Sequence, residues 1–125
     1  MGTVFEIVLV GESEANLRAA GEEALAEIDR LEDQLSAFLP SSEITAINAG
    51  AGRGEIAVEP RLYRLLERAG ELVSVTGGAF DPAVAPLLDA WGLREGHERS
   101  IESARKAAGW RNVLLAGGRV RFAHP

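Results

Sequence analysis

The chain has 125 residues, 46% of them hydrophobic, and a formal net charge of −6, which is the composition of one soluble globular domain over residues 1–125. Its acidity, with a pI near 4.9, argues against nucleic acid or an anionic membrane as principal partner. It has no cysteine, which excludes disulfides, thiolate metal sites and cysteine nucleophiles, and no apolar run is long enough for a membrane span. As given, the chain reads as cytoplasmic; an export signal or lipid anchor upstream would lie outside this sequence.

Residues 3–10 alternate and are rich in β-branched side chains, which predicts a first strand. Gly11 ends it, and Ser13 is placed to cap a long helix running to Leu35. Leu17, Ala20, Ala24, Ile28, Leu31 and Leu35 recur at helical steps and form its apolar face, with Glu22, Glu23, Glu27, Arg30 and Asp33 mainly on the solvated side. Residues 38–54 contain Pro, Ser, Asn and Gly and read as a structured loop with a short turn over 43–47. Residues 55–58 fit a short strand. Pro60 opens a second long helix, with Leu62, Leu65, Leu66, Ala69, Leu72 and Val73 as its buried stripe and Gly77 as its end. Residues 82–91 fit a short helix, and 94–99 a polar loop. Ser100 caps a helix over 101–108, which Gly109-Trp110 ends. Two strand-like runs, 112–116 and 119–123, flank Gly117-Gly118 and predict a hairpin. This order predicts an α+β fold with an antiparallel sheet, whose last hairpin is either an exposed edge or a point where a longer chain continues.

Chemistry-bearing residues are sparse. His97 sits in the charged loop beside Glu95, Glu98 and Arg99, and His124 has no evident partner, so no Ser/His/Asp arrangement is suggested. Residues 50–54 are glycine-rich but lead into a strand rather than a helix, unlike a phosphate loop. Asp81 and Asp89 are a carboxylate pair with no metal signature around them. The run Thr76-Gly77-Gly78-Ala79-Phe80-Asp81-Pro82 reads as a helix C-cap, a turn and, with Asp81 before Pro82, an N-cap for the next helix. Two other polar loops accompany it: Met1-Gly2-Thr3, and Leu35-Ser36-Ala37-Phe38 followed by Ser42-Glu43-Ile44 and Asn48. Together the three loops offer aromatic, hydroxyl, amide and carboxylate groups, the set a planar heteroaromatic ligand requires.

In order along the chain, these loops resemble the ApbE family, the FAD:protein FMN transferases. That family has a Met-Gly-Thr start, a Leu-Ser-x-aromatic segment, Ser-Glu-Ile and an Asn, then Thr-Gly-Gly-Ala-Phe-Asp-Pro-Thr and a Trp-Gly, which stands here as Trp91-Gly92. The resemblance implies a T-fold-like unit, an antiparallel sheet with helices packed on one face. It implies a protein that binds FAD as substrate, cleaves its pyrophosphate with a divalent metal, usually magnesium, and attaches FMN to a threonine of an acceptor protein. By residue match, the FAD-binding set is Met1, Gly2, Thr3, Ser36, Phe38, Asn48, Gly78, Ala79, Phe80 and Asp81. Phe38 is expected to pack on a flavin or adenine ring, and Asp81 to accept hydrogen bonds from the ligand.

Two departures qualify that implication. Ala83 stands where the family has a threonine. Family members are also more than twice this length, and their Asp-Leu-Gly-Gly-x-x-Lys-Gly segment and metal-binding Asp and Thr have no counterpart here. The expectation is therefore an amino-terminal portion, inactive as a transferase by itself, that forms homo-oligomers or pairs with a carboxy-terminal half. The alternatives are a flavin- or nucleotide-binding module without catalysis and a structural domain that self-associates through its sheet edge.

Overall fold

The computed structural model describes residues 4–93 and 100–124. The expected Met1-Gly2-Thr3 loop and the polar loop bearing His97 lie outside the described residues. The chain divides into two compact units, Met1–Ala49 and Gly50–Pro125.

In the first unit, Ser13 accepts a hydrogen bond from the Asn16 N–H and starts α1, Glu14–Leu35. The helix is the expected one, yet none of its residues is fully buried, and Leu25 is 47% exposed. The loop expected over 38–54 contains a second helix, α2, Glu43–Ala49, which packs on α1. Its buried residue is Ile47. The predicted first strand is not found: residues 4–10 are exposed and join no ladder among the described residues. A strand needs a partner that local pattern cannot supply.

The second unit is built around a three-stranded antiparallel sheet in the order β1-β3-β2, with β1 Ile56–Ala57, β2 Val113–Ala116 and β3 Arg119–Phe122. Gly117-Gly118 closes the β2–β3 hairpin, with Ala116 opposite Arg119 and Val113 opposite Phe122. Ile56 pairs with Val120, and the Val58 N–H extends the ladder to the Gly118 carbonyl. α3, Pro60–Val75, begins at Glu59, whose carboxylate accepts from the N–H groups of Arg61 and Leu62. Its inner stripe is narrower than expected. Leu62 is buried and Leu66, Ala69 and Val73 half-buried, whereas Leu65 and Leu72 are exposed. α4, Ala85–Ala90, packs on α5, Ile101–Ala107, and α4 starts three residues later than the Asp-Pro signal suggests. The buried apolar residues of this unit are Val58, Leu62, Ala104, Ala108 and Val120. Asn112 is buried among them because its amide lies 2.9 Å from each of the Lys106, Ala107 and Ala108 carbonyls, capping the end of α5. The architecture is α+β, as expected.

Candidate functional site

The glycine-rich run is first an architectural device. Thr76 is the C-cap of α3; the Gly77 N–H donates to Ser74 and the Gly78 N–H to Val73. That pair of bonds is a Schellman closure, which requires a left-handed residue just past the helix, and Gly77 has φ 60°. Trp91-Gly92 ends α4 in the same way, through Gly92 N–H to Asp89 and Leu93 N–H to Leu88. A Cβ at Gly77 or Gly78 would meet nothing within 4 Å, so backbone conformation and not crowding calls for glycine there.

The rest of the run is tied down from both ends. The Thr76 hydroxyl donates to the Leu72 carbonyl at 2.8 Å and accepts from the Phe80 N–H at 3.1 Å. Asp81 does not cap α4. One of its oxygens accepts from the Ala83 N–H at 2.9 Å, and the carboxylate also accepts from the Trp110 N–H at 2.9 and 3.1 Å. The Gly109 N–H donates to the Ala83 carbonyl at 2.8 Å, so residues 81–83 are stitched to 109–110. Gly78, Ala79 and Phe80 are left exposed on this held loop, with Phe80 at 43%.

The 36–48 segment is organised by Ser42, which is 1% exposed. Its hydroxyl accepts from the Thr45 N–H at 3.0 Å, as an N-cap for α2, and donates to the carbonyl of Ser36, the C-cap of α1. The Thr45 hydroxyl lies 3.3 Å from that same carbonyl. The Ser36 hydroxyl accepts from the Phe38 N–H at 3.2 Å. The loop between the helices is therefore pinned at both ends. Phe38 stands on it with 86% of its surface in solvent, and Asn48 is exposed on α2.

Thus Ser36, Phe38 and Asn48 belong to the first unit, and Gly78, Ala79, Phe80 and Asp81 to the second. Met1, Gly2 and Thr3 lie outside the described residues. Two open depressions, of about 480 and 570 Å³, are lined by Glu14 to Glu22 of α1 and by Ile101 to Arg111, and neither includes a residue of these loops. Among the described residues no three His, Asp or Glu side chains converge as a metal site. Sequence reasoning missed Ser42, Thr45 and Trp110 as the residues that hold the loops. The signal for Trp110 was Gly70 inside α3, where a Cβ would stand 2.7 Å from the indole Nε1.

The chain matches one family along its whole length. The ApbE family profile covers residues 1–125, and the chain belongs to that family. It is 38% identical over 111 residues to the FAD:protein FMN transferase of Treponema pallidum (strain Nichols), covering 83% of this chain and 30% of that protein. It is 33% identical over 93 residues to the FAD:protein FMN transferase of Rhodobacter capsulatus, covering 74% of this chain and 18% of that one. Among solved structures it resembles the ApbE protein of Thermotoga maritima, with a TM-score of 0.78 and 29% identity over 90% of this chain and 39% of that chain. The apo flavinyl transferase ApbE of Pseudomonas stutzeri follows, with a TM-score of 0.73 and 27% identity over 86% of this chain and 34% of that one. The chain thus spans less than half the length of these relatives. No helix among the described residues is long and apolar enough to cross a membrane.

Proposed function

We propose that this chain is the FAD-binding portion of a flavin transferase. The complete protein would cleave FAD and attach FMN to a threonine of an acceptor protein, with magnesium held by the part of the family fold that this chain does not span. The observation that carries the reading is Phe38. A large aromatic ring 86% exposed, on a loop whose backbone is fixed by Ser36, Ser42 and Thr45, offers a stacking surface on an ordered loop, and the proposed occupant is an isoalloxazine or adenine ring of FAD. Phe80, Ala79 and Gly78 would offer a second apolar contact, Asn48 an amide, and Asp81 the acceptor capacity its three backbone bonds leave over. Met1, Gly2 and Thr3 complete the proposed set.

FAD fluorescence titrated with this chain and with Phe38→Ala tests the reading. Saturable binding is expected, weakened several-fold in the variant, since an aromatic contact contributes about 0.5–1.5 kcal/mol. With magnesium and a threonine-bearing acceptor, the chain alone is expected to transfer no FMN. Affinity unchanged by Phe38→Ala would remove the stacking role, and efficient transfer by the chain alone would show that the site is complete without a second part.

A further inference from the structure

Charge is unevenly spread over this acidic chain. From residue 101 to 124 the cations are Arg105, Lys106, Arg111, Arg119 and Arg121, against Glu102 alone. Arg105 and Lys106 of α5 and Arg111 of the 3₁₀ turn Trp110–Asn112 line one open depression of about 570 Å³, together with Ile101 and Glu102. Glu102 is already engaged: its Oε1 lies 2.9 Å from the Lys106 Nζ. Arg105 and Arg111 make no ion pair among the described residues. The Arg111 Nη2 donates to the Arg105 carbonyl at 2.9 Å, which holds that guanidinium against the end of α5 and leaves most of its donors unused. Asp81 faces the same corner, since its Oδ2 and the Arg111 Nη1 flank Gly109, but its carboxylate is shared by the Ala83 and Trp110 N–H groups. The helix dipole accounts for cations in the last turn of α5. It does not account for Arg111 beyond the helix, and the final carbonyls are already capped by the Asn112 amide. Ile101 lies one turn before Arg105 on the same helix face and is 57% exposed. An apolar side chain thus stands in the open beside two guanidinium groups without anionic partners.

We propose that this surface of α5 and the turn after it docks a short acidic segment of a partner protein, in which an aliphatic residue stands among Asp or Glu residues. Charge complementarity and the exposed Ile101 name this occupant. Each guanidinium offers the paired donors that a carboxylate accepts bidentately, and the aliphatic side chain would cover Ile101. A lone phosphate would meet the guanidinium groups and leave Ile101 in water. A nucleic-acid strand carries its charge far past one helical turn, where the net charge of −6 opposes it. For a short segment the local charge decides, because the screening length at physiological salt is about 8 Å. The acidic α1 of a second copy would dock only head to tail, a contact that builds rings or filaments rather than a closed pair. The surface shares no residue with the loops of the proposed flavin site and stands whether or not that reading holds.

Fluorescence anisotropy of two labelled peptides, Asp-Glu-Leu-Asp-Glu and Asp-Glu-Gly-Asp-Glu, titrated with this chain tests the proposal. The leucine peptide is expected to bind saturably and at least about threefold more tightly than the glycine one, a modest share of the gain from burying a leucine. Its affinity is expected to fall as salt rises from about 0.01 to about 0.1 M, where the screening length shrinks from about 30 to about 10 Å. Arg105→Gln, whose parent side chain makes no hydrogen bond in the fold, is expected to unfold in urea like the parent and to bind the leucine peptide about fivefold more weakly. Ile101→Ser is expected to bring the two peptides to equal affinity. Arg64→Gln, the same charge change at an exposed position of α3, is expected to stay within about twofold of the parent. The proposal is overturned if the leucine peptide does not saturate, if the glycine peptide binds as well to the parent, or if Arg64→Gln loses as much affinity as Arg105→Gln. An oligothymidylate that binds more tightly than the peptide and is released by Arg105→Gln would identify nucleic acid instead. Self-association in sedimentation that Arg105→Gln abolishes would identify a second copy, and either result overturns the acidic partner.

Discussion

Asp81 lies in the glycine-rich run that joins α3 to α4, and its removal is predicted to act on the fold before it acts on any ligand. Its carboxylate accepts from the Ala83 N–H at 2.9 Å and from the Trp110 N–H at 2.9 and 3.1 Å. Both bonds are charge-assisted, and the second joins positions 29 apart in sequence. Hydrogen bonds to charged groups contribute roughly 1.5–3 kcal/mol each when buried. Asp81 and Trp110 are half-buried, so water recovers part of that on truncation. Asp81→Ala is therefore expected to cost about 2–3 kcal/mol, a fall in melting temperature on the order of 10–20 °C for a unit of this size. Asp81→Asn keeps one oxygen with two lone pairs, able to accept from both N–H groups, and is expected to cost about 1 kcal/mol. The assay is urea unfolding followed by tryptophan fluorescence, since Trp110 sits on the bond in question. Asp81→Ala within about 0.5 kcal/mol of the parent, well below the usual worth of such bonds, would refute the reasoning. The comparison also decides how FAD titrations are read. Lost binding in the alanine variant alone reports a loosened loop, whereas lost binding in a stable asparagine variant reports the carboxylate.

Two further substitutions probe the scaffold of the same loops. Gly70→Ala should lower stability by about 1 kcal/mol even though alanine is the better helix former, because overpacking against an indole 2.7 Å away costs about 1–3 kcal/mol against a propensity gain near 1 kcal/mol. In a Trp110→Leu background the same change should become stabilising in thermal melts, and failure of that sign reversal would remove the clash as the cause. Ser42→Ala should cost about 1–2 kcal/mol by uncapping α2 and leaving the Ser36 carbonyl with only the Thr45 hydroxyl; unfolding curves that overlay the parent would count against the Ser42 clasp.

What local chemistry encodes was legible in the sequence. Ser13 and the apolar stripe delimit α1, Pro60 and Gly77 bracket α3, and Gly117-Gly118 fixes the hairpin, because a cap, a helix face and a two-residue turn are all decided within a few residues. Misreadings fall where the partner is distant or hidden. Asp81 before Pro82 looks like an N-cap, yet its carboxylate goes to Trp110, which no local pattern indicates. α2 was hidden inside a polar loop, because Ser42, its cap, also reads as turn chemistry. Residues 4–10 have strand composition and no strand partner among the described residues. Of the 76–82 run, the C-cap closure at Thr76-Gly77 was anticipated from motif, while the residues that hold Phe38 and Asp81 in place were not.

The Thr76–Pro82 run encodes a loop shape more than a list of ligand contacts. Thr76 clamps the Phe80 N–H, Gly77 closes α3 and Asp81 fastens the loop to Trp110, so three of its most distinctive residues are engaged within the protein. What the loop then presents is backbone, the Ala79 methyl and the Phe80 ring. The 36–48 segment follows the same logic, with Ser36, Ser42 and Thr45 bonded inward and Phe38 left outward. A ligand stacking on either loop would meet a backbone already held by hydrogen bonds, which lowers the ordering cost of binding. It follows that substitutions of the inward hydroxyls should weaken FAD binding through loop order, in parallel with stability. Substitutions of Phe38 or Phe80 should weaken it with the fold intact. A set of variants in which the two quantities separate along that line identifies which residues touch the ligand without a bound structure.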